Sequence, residues 1–133
     1  MTKLEIIQNI LHNTKLCLKP SKVCDGVGLF TILPIKKGEV LMKDVTVDTM
    51  FIGWDELSGL HDCVKSYLNT MCNSTNDGIF LSRTPNNINL AYFVNHSDFP
   101  NVTHDLNLDE FVALQDIDID EEIVCVYTQE EMW

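Results

Sequence analysis

No lysine or arginine follows Arg83 in this 133-residue chain. Residues 1–83 balance nine acids against nine bases, while residues 84–133 hold 11 acids, so the whole net charge of −11 belongs to the last 50 residues. A half without cations excludes nucleic-acid binding through phosphate contacts and makes an anionic membrane surface a poor partner. A basic peptide is what such a surface accommodates. No run of 18 or more apolar residues occurs, and no basic segment followed by an apolar run opens the chain, which predicts a soluble intracellular protein without a signal peptide or membrane span. No CxxC pair links Cys17, Cys24, Cys63, Cys72 and Cys125. Their odd number predicts buried reduced thiols rather than a disulfide frame or a zinc site. The Asn-x-Ser/Thr matches at Asn73, Asn95 and Asn101 carry no weight without a secretory route.

Several familiar motifs are also missing. Gly26-Val27-Gly28 begins like a dinucleotide fingerprint, but Thr31 stands where the third glycine belongs, the following run is β-like, and no GxxxxGK[ST] loop occurs. Asp116, Asp118 and Asp120 alternate like the start of a calcium loop. Glu121 replaces its obligatory glycine and Tyr127 its bidentate glutamate, so no metal is expected. None of the cysteines sits in a local signature of a Cys/His hydrolase, and His61 reads as a helix-surface histidine.

The chain does hold the pattern of one α+β, β-rich domain over residues 1–133. Thr2 and Glu5 have capping-box spacing ahead of Leu4, Ile7 and Leu11, predicting a helical extension over residues 1–14 with its helix ending near Asn13. Short β-rich runs follow over 15–18, 28–33 and 40–47, with a turn at Lys36-Lys37-Gly38. Leu57, Leu60, Val64, Leu68 and Met71 fall on one face of an amphipathic helix at about 55–71, expected to pack on a sheet. Residues 73–78 read as a polar loop, and 79–81, 102–106, 110–114 and 123–127 as strands. Residues 84–101 read as a loop that passes the core at 90–94. Residues 31–39 also echo residues 113–121. Both read strand, Ile, tight turn, Glu, with Gly38 and Asp120 at the same turn position, where a left-handed backbone favours Gly and then Asn or Asp.

Asn95-His96-Ser97 directly after that apolar stretch places polar groups at the edge of the interior, where they need partners; capping of neighbouring backbone is one use for them. The segment has company. Gly26-Val27-Gly28-Leu29-Phe30 with Ile35, Gly38 and Glu39, then Asn95-His96-Ser97 with Pro100-Asn101, then Asp116-Ile117 with Glu121-Glu122-Ile123 and Tyr127, follow the order and spacing of a SET domain. Over residues 15–133 the chain resembles the SET-domain protein lysine methyltransferases.

The resemblance implies a fold of several small β-sheets with a pseudoknot near the C-terminus. It implies S-adenosylmethionine bound on one face, a basic lysine-containing peptide or histone-like tail on the other, and a narrow apolar channel between them that favours the neutral amine. By motif position, Gly26, Val27, Gly28, Tyr92, Asn95 and His96 would contact the cofactor, and Tyr127 would be the catalytic tyrosine that orients the amine. Tyr92, Tyr127 and Trp133 would line the channel. Trp133 would pack on the cofactor or close that channel, unless it is a terminal aromatic resting on the core. The alternative function is a catalytically silent SET-fold module that binds peptides. Cysteine-rich flanks are missing, Asp98 replaces the family's usual cysteine, and the aromatic-Gly-Glu motif after the first corner is absent. That last departure leaves Tyr92 and Tyr67 as candidates for the second channel aromatic. A homodimer that completes the site is an open assembly, and a histone substrate would make the protein nuclear or chromatin-associated, any other substrate cytoplasmic.

Overall fold

Thr2 caps the first helix in the computed structural model, which describes residues 2–46, 49–81 and 89–127. In α1 (Lys3–Asn13) the Thr2 hydroxyl accepts from the Glu5 amide at 3.2 Å and the Glu5 carboxylate accepts from the Thr2 amide at 2.8 Å. This box satisfies two amides that a helix start leaves unpaired. The helix stands where the spacing predicts it, but none of its residues is buried.

After α1 come β1 (Leu16–Pro20), β2 (Val27–Thr31), β3 (Val40–Lys43) and β4 (Met50–Gly53). Helix α2 (Asp62–Met71), β5 (Asn73–Ser74) and β6 (Gly78–Leu81) follow. The last strands are β7 (Asn95–His96), β8 (Val102–Asp105), β9 (Glu110–Ala113) and β10 (Glu122–Cys125). The strands make three small sheets, ordered β1-β2-β10-β7, β3-β9-β8 and β4-β6-β5. All pairings are antiparallel except β10 with β7, which run parallel with Val124 opposite Asn95 and Cys125 opposite His96. Two sheets thus join residues before 46 to residues after 94. The intervening segment builds the third sheet and α2 around its own small cluster of Leu68, Cys72 and Ile79. The main core gathers Leu29, Ile35, Leu41, Phe111, Ile117 and Ile123. This β-rich arrangement of small sheets with two helices is the expected fold class.

The internal echo is real and sits at the centre of that core. Ile35 and Ile117 face each other across an antiparallel bridge, exchanging backbone hydrogen bonds of 2.9 and 2.8 Å, and both are buried. Each turn closes in the same way: the Glu39 amide donates to the Lys36 carbonyl (3.0 Å) and the Glu121 amide to the Asp118 carbonyl (3.1 Å). Each glutamate then caps the turn it follows, accepting from the Lys36 amide at 3.4 Å and the Asp118 amide at 3.1 Å. One expectation fails. Gly38 is left-handed with φ +87°, but Asp120 is not among the described residues with positive φ, so the second turn needs no special residue.

The amphipathic helix expected at 55–71 is shorter than its stripe. Residues Trp54–Leu57 form a single 3-10 turn, Gly59 takes φ +84°, and α2 begins only at Asp62. A left-handed residue cannot continue a right-handed helix. His61, read as a surface histidine, is exposed but caps α2, its ring Nδ1 accepting from the Cys63 amide at 3.1 Å. Leu68 is buried, Leu57, Leu60 and Met71 pack against its cluster, and Val64 points to solvent. Three strands were not expected: β4, β5 in the presumed polar loop, and β7 in the presumed Asn-rich loop. Those last two are two residues each, too short for periodicity to show. The five cysteines are thiols outside any disulfide, but only Cys72 and Cys125 are buried, while Cys24 and Cys63 are exposed.

Candidate active site

The pairing of β7 with β10 brings together segments that lie 27 to 31 residues apart in sequence. Asn101 locks the crossing from below: its side-chain amide donates to the Glu122 carbonyl (2.8 Å) and accepts from the Val124 amide (2.9 Å), while its backbone amide donates to the Val124 carbonyl (3.1 Å). Asn101 is itself buried, so these bonds replace the water its amide gives up. The Ser97 amide donates to the Cys125 carbonyl at 2.9 Å. These are the two segments whose crossing the pseudoknot requires.

Beyond β10 the chain reaches Tyr127, held at three points. Its backbone amide donates to His96 Nδ1 at 2.9 Å, its ring meets the His96 ring at 5.4 Å between centroids and 57°, and its phenol donates to the Val94 carbonyl. His96 Nε2 lies 3.1 Å from the Asp98 carboxylate. Half of the Tyr127 residue is exposed, and its hydroxyl rests on the Val94 carbonyl. Burial pushes the phenol well above the ordinary tyrosine range, and the nearby Cys125, Cys24 and Glu122 groups push the same way. At neutral pH the phenol is protonated, as an ordinary tyrosine already is. With its O–H donated in a hydrogen bond to the Val94 carbonyl, its oxygen keeps lone pairs for an incoming N–H.

Asn95 faces the other way, toward the Gly26-Val27-Gly28 segment. Its NH2 group donates to the Val27 carbonyl at 3.0 Å and to the Glu122 carboxylate at 3.0 Å. Gly26 is open: a Cβ there would meet only the Cys24 sulfur, at 3.6 Å. Gly28 is different, because a Cβ there would come within 2.6 Å of Glu122 Oε2. Glu122 is thus a site residue that motif reading passed over, seen before only as half of a Glu-Glu pair. The signal available was an acidic residue directly ahead of the strand expected over 123–127.

Tyr92 is two residues before Val94, whose carbonyl receives the Tyr127 phenol. It sits in a 3-10 turn, Leu90–Phe93, and packs against the cluster of Leu68, Cys72 and Ile79. Tyr67 is exposed on α2. Trp133 lies outside the described residues. Asp116 and Asp118 turn their carboxylates to backbone amides, accepting from Lys37 at 2.9 Å and Ile119 at 2.8 Å. Among the described residues no helix is long and apolar enough to cross a membrane.

The fold is shared with known structures. A Plasmodium falciparum protein provisionally designated a histone methyltransferase matches with a TM-score of 0.52 and 23% identity, over 86% of this chain and 94% of that one. A humanized mutant of the Chaetomium thermophilum Polycomb Repressive Complex 2, bound to the inhibitor GSK126, matches with a TM-score of 0.56 and 22% identity, over 88% of this chain but 15% of that one. No curated protein matches significantly. The SET-domain family model matches residues 26–128, from the Gly26 segment through Tyr127, and on that match the chain belongs to the SET-domain family.

Proposed function

We propose that this chain is an S-adenosylmethionine-dependent methyltransferase that methylates a lysine side chain of a basic protein or histone-like tail. The observation that carries the reading is the junction of β7 with β10, which sets His96 beside a tethered Tyr127 and turns Asn95 to the Gly26-Val27-Gly28 segment.

The residues present fit the cofactor. Gly26 leaves its backbone accessible, Val27 and His96 are exposed, and Asn95 joins the two strands between them. Gly26, Val27, Asn95 and His96 would hold it; Gly28 supports this wall by leaving room for Glu122. When bound, S-adenosylmethionine supplies a methyl group on a positively charged sulfur, already activated for attack. The protein's work is then alignment, which can account for most of the acceleration in a displacement between two held reactants. Tyr127 would accept an N–H of the neutral lysine amine on its free lone pairs and so aim the nitrogen lone pair. A neutral phenol, unlike a phenolate, does not hold the amine in its protonated form.

Calorimetric titration with S-adenosylmethionine, followed by incubation with labelled cofactor and a mixture of basic proteins, tests the reading. Binding and transfer of label to lysine are expected. No binding at high micromolar ligand would remove the enzyme, and binding without transfer to any basic protein would favour a silent peptide-binding module.

A further inference from the structure

Glu122 opens β10 and is buried, yet among the described residues no ion pair reaches its carboxylate. A buried charge is costly unless donors surround it. Here they do. The Ser21 hydroxyl lies 2.9 Å from both carboxylate oxygens, and the Lys22 amide donates to Oε1 at 2.5 Å, joining the Asn95 NH2 group on Oε2. Ser21 passes this order onward, because its oxygen accepts from the Val23 and Cys24 amides at 3.1 Å each, and its own amide donates to the Gly26 carbonyl at 2.8 Å. Asn95 passes it to Val27. One carboxylate therefore organises both the 21–26 loop and the head of β7, the two pieces of chain that face the cofactor in the function proposed above.

We infer that Glu122 is a positioning residue for the cofactor site, acting through Ser21 and Asn95, an inference that rests on the methyltransferase reading. Glu122→Gln keeps the size of the side chain but turns one acceptor into an NH2 group facing other donors. The dissociation constant for S-adenosylmethionine, measured by calorimetry, should rise on the order of tenfold to a hundredfold, as expected when a charged acceptor is lost. The cofactor KM should follow, while kcat at saturating cofactor and the peptide KM stay within about threefold. A purely structural role would instead shrink the active fraction, lowering apparent kcat and leaving cofactor affinity in the folded remainder unchanged. Wild-type affinity in Glu122→Gln would overturn the inference while leaving the methyltransferase reading intact; failure of the wild type to bind would remove both. Where Glu122→Gln does not fold, Ser21→Ala decides. A several-fold loss of cofactor affinity that Ser21→Thr restores is expected, and unchanged affinity in Ser21→Ala would overturn the inference.

Discussion

Tyr127 is where a single atom should matter most. Tyr127→Phe removes the oxygen proposed to aim the amine but leaves the ring against His96 and the backbone bond to His96 Nδ1. Turnover should fall on the order of a hundredfold, as for loss of one preorganised polar group, or the number of methyl groups added should change, with cofactor affinity preserved. Steady-state kinetics and mass spectrometry of the product read both; an unaltered rate and product would remove Tyr127 from the chemistry. Asp109 offers a test of a different kind. It lies in a left-handed turn, φ +53°, accepting from the Thr46 amide at 2.8 Å and facing His104 Nε2 at 2.9 Å. Burial raises its pKa, but the bonds from Thr46 and His104 outweigh that and hold it below the usual carboxylate value. A lowered folded pKa means stability that is present above the unfolded value of about 3.9 and lost as pH falls through the folded one. Asp109→Asn tolerates the same backbone but cannot titrate. Its melting temperature should therefore fall less steeply than wild type in the acid range below the unfolded value, and parallel slopes would contradict the assignment.

At the scale of elements, the two echoed corners make a matched pair with one built-in difference. Gly38 is left-handed and Asp120 is not, although both precede a capping glutamate. Gly38→Ala should cost about 1–2 kcal/mol in urea unfolding, the usual penalty for a Cβ in that region. Asp120→Ala, at an exposed turn without that strain, should stay within about 0.5 kcal/mol. Equal costs would mean that the corners are conformationally alike. The corners were legible in the sequence because each carries its own signal over nine residues: β-rich run, buried Ile, turn, Glu. The helix was legible in its stripe but not in its start, because Gly59 and the His61 cap act through backbone conformation, which a periodic count of apolar residues does not register. β7 was invisible for the opposite reason. Two residues have no period, and their strand exists only because β10 arrives beside them from the far end of the chain.

Across the whole molecule, the N-terminal and C-terminal thirds share two sheets, while residues 50–81 keep a sheet and a cluster of their own. Motif order could place His96 beside Tyr127 because the resemblance carried the crossing with it. It could not show that Glu122 underlies Gly28, since that contact depends on side-chain depth. The charge division has a physical place in this arrangement. The strands after Arg83 supply β7, β10 and Tyr127, and with them come the 11 acids that no lysine or arginine in that half offsets. Asp98 stands exposed beside His96 at the edge of the site, and Asp116, Asp118 and Glu121 crowd the second corner. A field of one sign over a cleft raises the encounter rate of an oppositely charged partner, and salt screens it over a Debye length of about 8 Å at physiological ionic strength. Raising sodium chloride from about 50 mM to about 300 mM should therefore increase the apparent KM for a Lys/Arg-rich peptide several-fold. A companion peptide with every lysine and arginine except the target replaced by glutamine should show a higher KM that barely responds to salt. If both peptides respond alike, the acidic half serves solubility and takes no part in choosing the substrate.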